Sequence, residues 1–161
     1  MLFLCLSVQG FAQQITPKTA FLEKWENAAT YTLAVAEAMP EEAYDFKPTD
    51  RQMSFSEQLL HMKANMDWLG QTYFNAPIPE GQETRSKMQI IAALKASFAQ
   101  VTAAVGNTPD AELSQTVEFF AGPKSKLQIL NLLQDHLTHH RGQVLVYLNL
   151  NEVTPPRYVG W

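Results

Sequence analysis

Asp135-His136-Leu137-Thr138-His139-His140-Arg141-Gly142-Gln143 places three of the chain's four histidines within five residues. Read as a helix, residues four apart stand one above the other with Cβ atoms roughly 5–6 Å apart, so His136 and His140 can aim two imidazoles at one point. The same stripe carries Ile129, Leu132, Leu133, Gln143, Val144 and Tyr147, which turns those imidazoles toward an apolar interior, where a polar ring needs a partner. The fourth histidine, His61, lies some 75 residues upstream in another helical run. Antiparallel packing would bring it opposite the pair and leave three neutral nitrogens with an open coordination position.

Outward from this stretch, helix signals recur. Ser125-Lys126-Leu127-Gln128 is a capping box that opens the helix, which the periodicity carries to about Asn149. Leucine and valine occupy almost every face of it, so it is expected to be the most enclosed helix or to touch a partner chain. Gly142 is unfavourable inside a helix by ~1 kcal/mol relative to alanine, and close approach of another backbone would explain it. Thr16-Pro17 reads as a cap with proline in the first turn. From there Phe21, Leu22, Trp25, Ala28, Ala29, Thr32, Val35, Ala36 and Met39 form one stripe, ended by Pro40. Residues 40–53 form a link, with Lys47 held out of the helical region by Pro48. Ser54-Phe55-Ser56-Glu57 is a second capping box, and its helix carries His61 two turns in, flanked by Glu57, Gln58 and Asn65. After the breaker-rich Asn75–Gly81, Thr84 or Ser86 caps a third helix to about Val105. The segment 110–124, with its Val117-Glu118-Phe119-Phe120 run, reads as a short strand or an ordered loop, the loop favoured, and the apolar tail from Asn151 to Trp161 as packing back on the bundle.

These elements predict an all-α fold, a four-helix bundle of up-down type with long connecting loops, whose sites lie between facing helices. Composition agrees: 161 residues, 46% hydrophobic and 17% charged, describe one globular domain that needs no staple. Net charge is −4 and no basic stripe or phosphate loop appears, which argues against nucleic acid as a partner. Residues 1–12 read as a signal peptide: an apolar run from Met1 to Val8, then Gly10-Phe11-Ala12 with small residues before a cut at Gln13. The expected domain is therefore 13–161, exported to a periplasmic or secreted location, or cytoplasmic if that segment is no signal. The run is too short for a stable membrane span. Cleavage would remove Cys5, the single cysteine, leaving histidine, carboxylate, hydroxyl and metal to carry any chemistry.

The chain resembles the DinB family, the DinB/YfiT-like metalloenzyme superfamily, over nearly the whole mature length. The resemblance is carried by Tyr44-Asp45-Phe46-Lys47-Pro48, Gln58-Leu59-Leu60-His61, Asp135-His136, His139-His140-Arg141-Gly142-Gln143, Tyr147-Leu148 and Pro155-Pro156. It implies a four-helix bundle whose three metal-binding histidines fall on His61, His136 and His140, commonly in a homodimer. Relatives with known reactions include thiol transferases and a thiol-dependent isomerase.

Around those three, His139 lies about 60° off the stripe and is read as supporting or interface packing. Asp135 and Gln143 are candidates to orient imidazoles. Arg141 points away and reads as an ion-pair or dimer residue, and Glu57 as a cap rather than a general base. Three imidazoles suit zinc, nickel, copper or iron, with zinc or nickel favoured and zinc the default. The activity expected is that of a metal-dependent hydrolase or transferase with a water at the open position. The alternative is a non-catalytic metal-binding or sensing bundle. A thiol-transferase role fits an exported protein poorly, because such thiol cofactors are cytosolic.

Overall fold

Four capping motifs set the starts of the four long helices. The computed structural model of the chain describes residues 15–78 and 86–161. The signal-like segment, the cut before Gln13 and the alternative cap Thr84 lie outside the described residues. Helix α1 spans Pro17–Ala38, with the Thr16 side chain accepting from the Thr19 amide. Helix α2 spans Phe55–Phe74, helix α3 Lys87–Asn107 and helix α4 Lys126–Leu150. Ser54 with Glu57, Ser86 with Gln89 and Ser125 with Gln128 each form the reciprocal capping box, satisfying two amides that a helix start otherwise leaves without partners. At the far end of α2, Asn75 takes the left-handed conformation, φ 57°, that closes a helix.

Helix α1 packs against α3 and α4, and α2 packs against the same two. Around the bundle the order is therefore α1, α3, α2, α4, and α1 lies diagonal to α2. Two links cross a diagonal, and these are the long ones, 39–54 and 108–125. The first is pinned by aromatic side chains: the Tyr44 hydroxyl donates to the Ala36 carbonyl at 2.7 Å. Its ring meets Phe55 at 5.1 Å, and Phe46 meets Tyr147 at 6.0 Å. The second link takes the short-strand alternative rather than the favoured loop. After a 3₁₀ turn at Asp110–Ser114, Thr116–Val117 (β1) pairs antiparallel with Lys124–Ser125 (β2). Two-residue strands are too short to show alternation in sequence. Gly122, with φ 94°, turns the chain between them.

The interior is filled by Trp25, Val35, Phe55, Leu59, Met62, Leu94, Val105, Ile129, Leu130, Val144 and Leu148, all without solvent exposure. Trp25 stacks on Phe21 and tilts against Phe98, ring centres 5.3 and 5.2 Å apart. Among the described residues, α3 alone has the length and apolarity to cross a membrane. Its Ile90, Leu94, Phe98, Val101 and Val105 are instead spent on this core. The tail packs back as expected: Asn27 donates to the Trp161 carbonyl at 2.6 Å, and Tyr158 sets its ring edge against Tyr31 at 5.5 Å.

Helix α4 is not enclosed on all sides. One face is buried, while Asn131, Asp135, Thr138, Gly142, Val146 and Asn149 lie along an exposed stripe. Among the described residues Gly142 has nothing within 4 Å of the position a Cβ would take, so no described backbone outside its own helix approaches it. The close approach occurs at Gly70 of α2, where an added Cβ would stand 3.0 Å from Val101 Cγ2 of α3 and 3.3 Å from Ala76. Arg141 likewise differs from expectation. It is buried, its guanidinium lies over the Tyr31 ring at 5.2 Å and donates to the Ala28 carbonyl at 3.5 Å, and no carboxylate among the described residues pairs with it. Burial lowers its pKa, and the ring face supplies the attraction that a carboxylate would.

Candidate metal centre

Helices α2 and α4 are neighbours, and their contact brings His61 to the pair His136 and His140. The three ring centres lie 4.4–4.9 Å apart. One nitrogen from each falls within 4.8 Å of the other two, so the group could hold a metal ion. His61 Nε2 and His136 Nε2 face one another at 3.1 Å. Two nitrogens bound to one tetrahedral zinc at ~2.0–2.1 Å stand ~3.3–3.4 Å apart. That pair therefore needs only a few tenths of an ångström of adjustment to share such an ion, and the His140 nitrogen lies within 4.8 Å of both. The expectation of an apolar surround holds only in part: His140 is buried, His136 half-buried and His61 exposed, so the cluster opens to solvent on the α2 side.

What orients His140 is Gln58, a buried residue one turn before His61. The Gln58 Nε2 donates to Gln143 Oε1 at 2.7 Å, leaving Gln58 Oε1 to accept from His140 Nδ1 at 2.7 Å. The proton thus sits on Nδ1, and Nε2 presents a lone pair. The amide is supported in turn, because the Tyr147 hydroxyl stands 3.4 Å from Gln58 Nε2 and itself donates to the Met53 carbonyl at 2.9 Å. Gln143 also reaches His139, Nε2 to Nε2 at 2.9 Å. His139 sits edge-on to His140, ring centres 4.9 Å apart, outside the three that converge. Asp135 makes no hydrogen bond to an imidazole among the described residues and acts on His136 only through its charge.

In the sequence Gln58 reads only as a polar neighbour of His61. The usable signal was a glutamine at a core position of α2, i−3 from a histidine, where burial obliges its amide to find partners.

The electrostatics favour ligation. Burial first, and then the neighbouring His61 and His139, push the His136 pKa down to about 4, against a smaller opposing effect from Asp135. His140 is pushed down to about 4 by burial and then by His136, His61 and His139. Both rings are therefore neutral near pH 7, the form that binds metal. Glu57 is engaged elsewhere: it accepts from the Ser54 amide at 2.6 Å and pairs with Lys47 at 3.1 Å. The Ser54 amide, followed by Lys47, holds its carboxyl below the usual range. It is the cap that the sequence indicates.

Beside His136 opens a cavity of about 480 Å³ between α2, the hairpin turn and α4. Trp68, Leu69, Phe119, Phe120 and Leu132 form its apolar wall, and Asn65, Asp135, His136, Thr138 and His139 its polar one.

The DinB family model matches residues 13–159. The chain belongs to the DinB family. The DinB fold recurs in two solved structures. A DinB-like protein from Bacillus subtilis is 18% identical, with a TM-score of 0.74 over 87% of this chain and 97% of that one. A DinB-like protein from Bacillus cereus is 19% identical, with a TM-score of 0.73 over 85% of this chain and 94% of that one. At such identities the likeness is one of fold. No functionally curated protein matches the sequence.

Proposed function

We propose that this DinB-family protein is a metal-dependent hydrolase or transferase in which His61, His136 and His140 bind one divalent ion, zinc or nickel, with a fourth position open. The observation that carries this reading is the convergence of three imidazole nitrogens within 4.8 Å, one of them fixed in its tautomer by Gln58. An ion held there supplies a Lewis acid that activates water or polarises a substrate oxygen or sulfur. The chain's own residues do the rest. Gln58 and Gln143 keep His140 aimed at the centre. Asp135, exposed on the cavity wall next to His136, is the carboxylate available to hold a proton during turnover. Glu57 is not, since its cap and its ion pair with Lys47 depress its basicity.

The engagement of Glu57 also favours a second reading, a metal-binding or sensing bundle without catalysis. One experiment separates the two. Protein reconstituted with zinc or nickel is screened against esters, amides and thiol acceptors. Turnover that is abolished by chelation and by Asp135→Asn supports the enzyme, whereas stoichiometric metal with no turnover on any class supports the sensor.

A further inference from the structure

We propose that the cavity beside His136 binds the uncharged aryl group of an amphipathic small molecule whose metal-coordinating head reaches the histidine cluster. The placement of the head rests on the metal reading above. The aryl site rests on the cavity itself. Trp68 is 42% exposed and Phe120 83% exposed, large apolar surfaces that water solvates poorly. The rings are grouped: Trp68 lies 6.0 Å from Phe119 and 6.1 Å from Phe120, and Phe119 lies 4.4 Å from Phe120. Their backbone is fixed by the β1–β2 pairing, by the turn at Gly122 and by the Tyr73 hydroxyl, which donates to the Glu118 carbonyl at 3.1 Å.

The volume suits a small ligand, for which pockets run ~300–1,000 Å³ with a mostly apolar lining and a few placed polar groups. His136 belongs to both the cavity wall and the cluster, so a molecule seated on the rings points one end at the three nitrogens. Among the described residues Asp135 is the only carboxylate on the wall and neither lysine nor arginine lines it, so the seated group carries no negative charge. A second copy of the chain fits less well, since its backbone would bury Asn65, Asp135, Thr138 and His139 together.

The test compares benzohydroxamate with acetohydroxamate, which share one metal-binding head, by calorimetry on zinc-loaded protein. The expected result is binding of the aryl probe about tenfold tighter or more, the order expected for removing one ring's surface from water. In Trp68→Ala and in Phe120→Ala that advantage shrinks to under about threefold, with acetohydroxamate affinity unchanged. A second arm uses metal-free protein and benzyl alcohol, read by tryptophan fluorescence. A saturable change that disappears in Trp68→Phe supports the aryl site whether or not metal binds. Equal affinities for the two hydroxamates on zinc-loaded protein overturn the inference and leave the metal reading standing. Failure to take up zinc, with the benzyl alcohol response intact, does the reverse. Dissociation of a dimer by Phe120→Ala, without any probe response, also overturns it by assigning the surface to a second copy.

Discussion

Gln58 shows how much of the centre depends on a single amide. Its two ends are committed, one to His140 Nδ1 and one to Gln143 Oε1, so replacement by leucine leaves the buried His140 N–H and the half-buried Gln143 oxygen without that partner and frees the imidazole to turn. Gln58→Leu is expected to weaken zinc affinity by ~10–100-fold, measured by competition with a chromogenic chelator. An unchanged affinity would show that the histidines orient themselves. The metal-free protein also carries a pH signature. His136 and His140 have folded-state pKa values of about 4, below the ~6.5 of an unfolded chain. Between those values the unfolded state binds more protons, so stability is full above about pH 6.5 and falls as pH drops toward 4. Urea midpoints across that window should fall in the metal-free parent and fall less in His136→Gln/His140→Gln. The histidine pair was legible because its spacing is local. Gln58 was not, because the sequence does not display a contact 82 residues away.

At the scale of elements, the helix starts were legible in the capping boxes, whose partners are three residues apart and need no tertiary information. The β1–β2 hairpin was legible only as the less favoured alternative to a loop, since two-residue strands carry no period and its aromatic turn looks like any apolar loop. The glycines show the same divide. Gly70 and Gly142 both sit inside helices, yet of the two only Gly70 meets a neighbouring helix among the described residues. Gly70→Ala should lose ~1–2 kcal/mol as Val101 is displaced, more than the ~1 kcal/mol that alanine gains in helix propensity. Thermal unfolding checks the sign, and a raised Tm would mean that the α2–α3 contact yields easily.

For the whole molecule, the apolar surface left on α4 argues for assembly. Val146 is 54% and Leu150 56% exposed, one turn apart, and Gly142 on the same stripe leaves open space into which a second copy's helix can settle. A homodimer through the Gly142–Leu150 end of this helix, away from Asp135 and Thr138, is expected, with Val146→Glu giving a species near the 18.1 kDa of one chain. Light scattering at micromolar concentration decides it, and a parent monomeric throughout removes the dimer. The bundle itself was legible from four stripes and their breakers. The diagonal order of the helices was not, because it depends on which stripe meets which.

The central claim is that His61, His136 and His140 together hold an ion while their neighbour His139 does not. Elemental analysis after growth with zinc and nickel, on the parent and on the four single alanine variants, tests it most directly. The account predicts one ion per chain in the parent and in His139→Ala, and a steep loss in His61→Ala, His136→Ala and His140→Ala, where two imidazoles remain. Full occupancy in His136→Ala and His140→Ala, or a parent without metal, would contradict it.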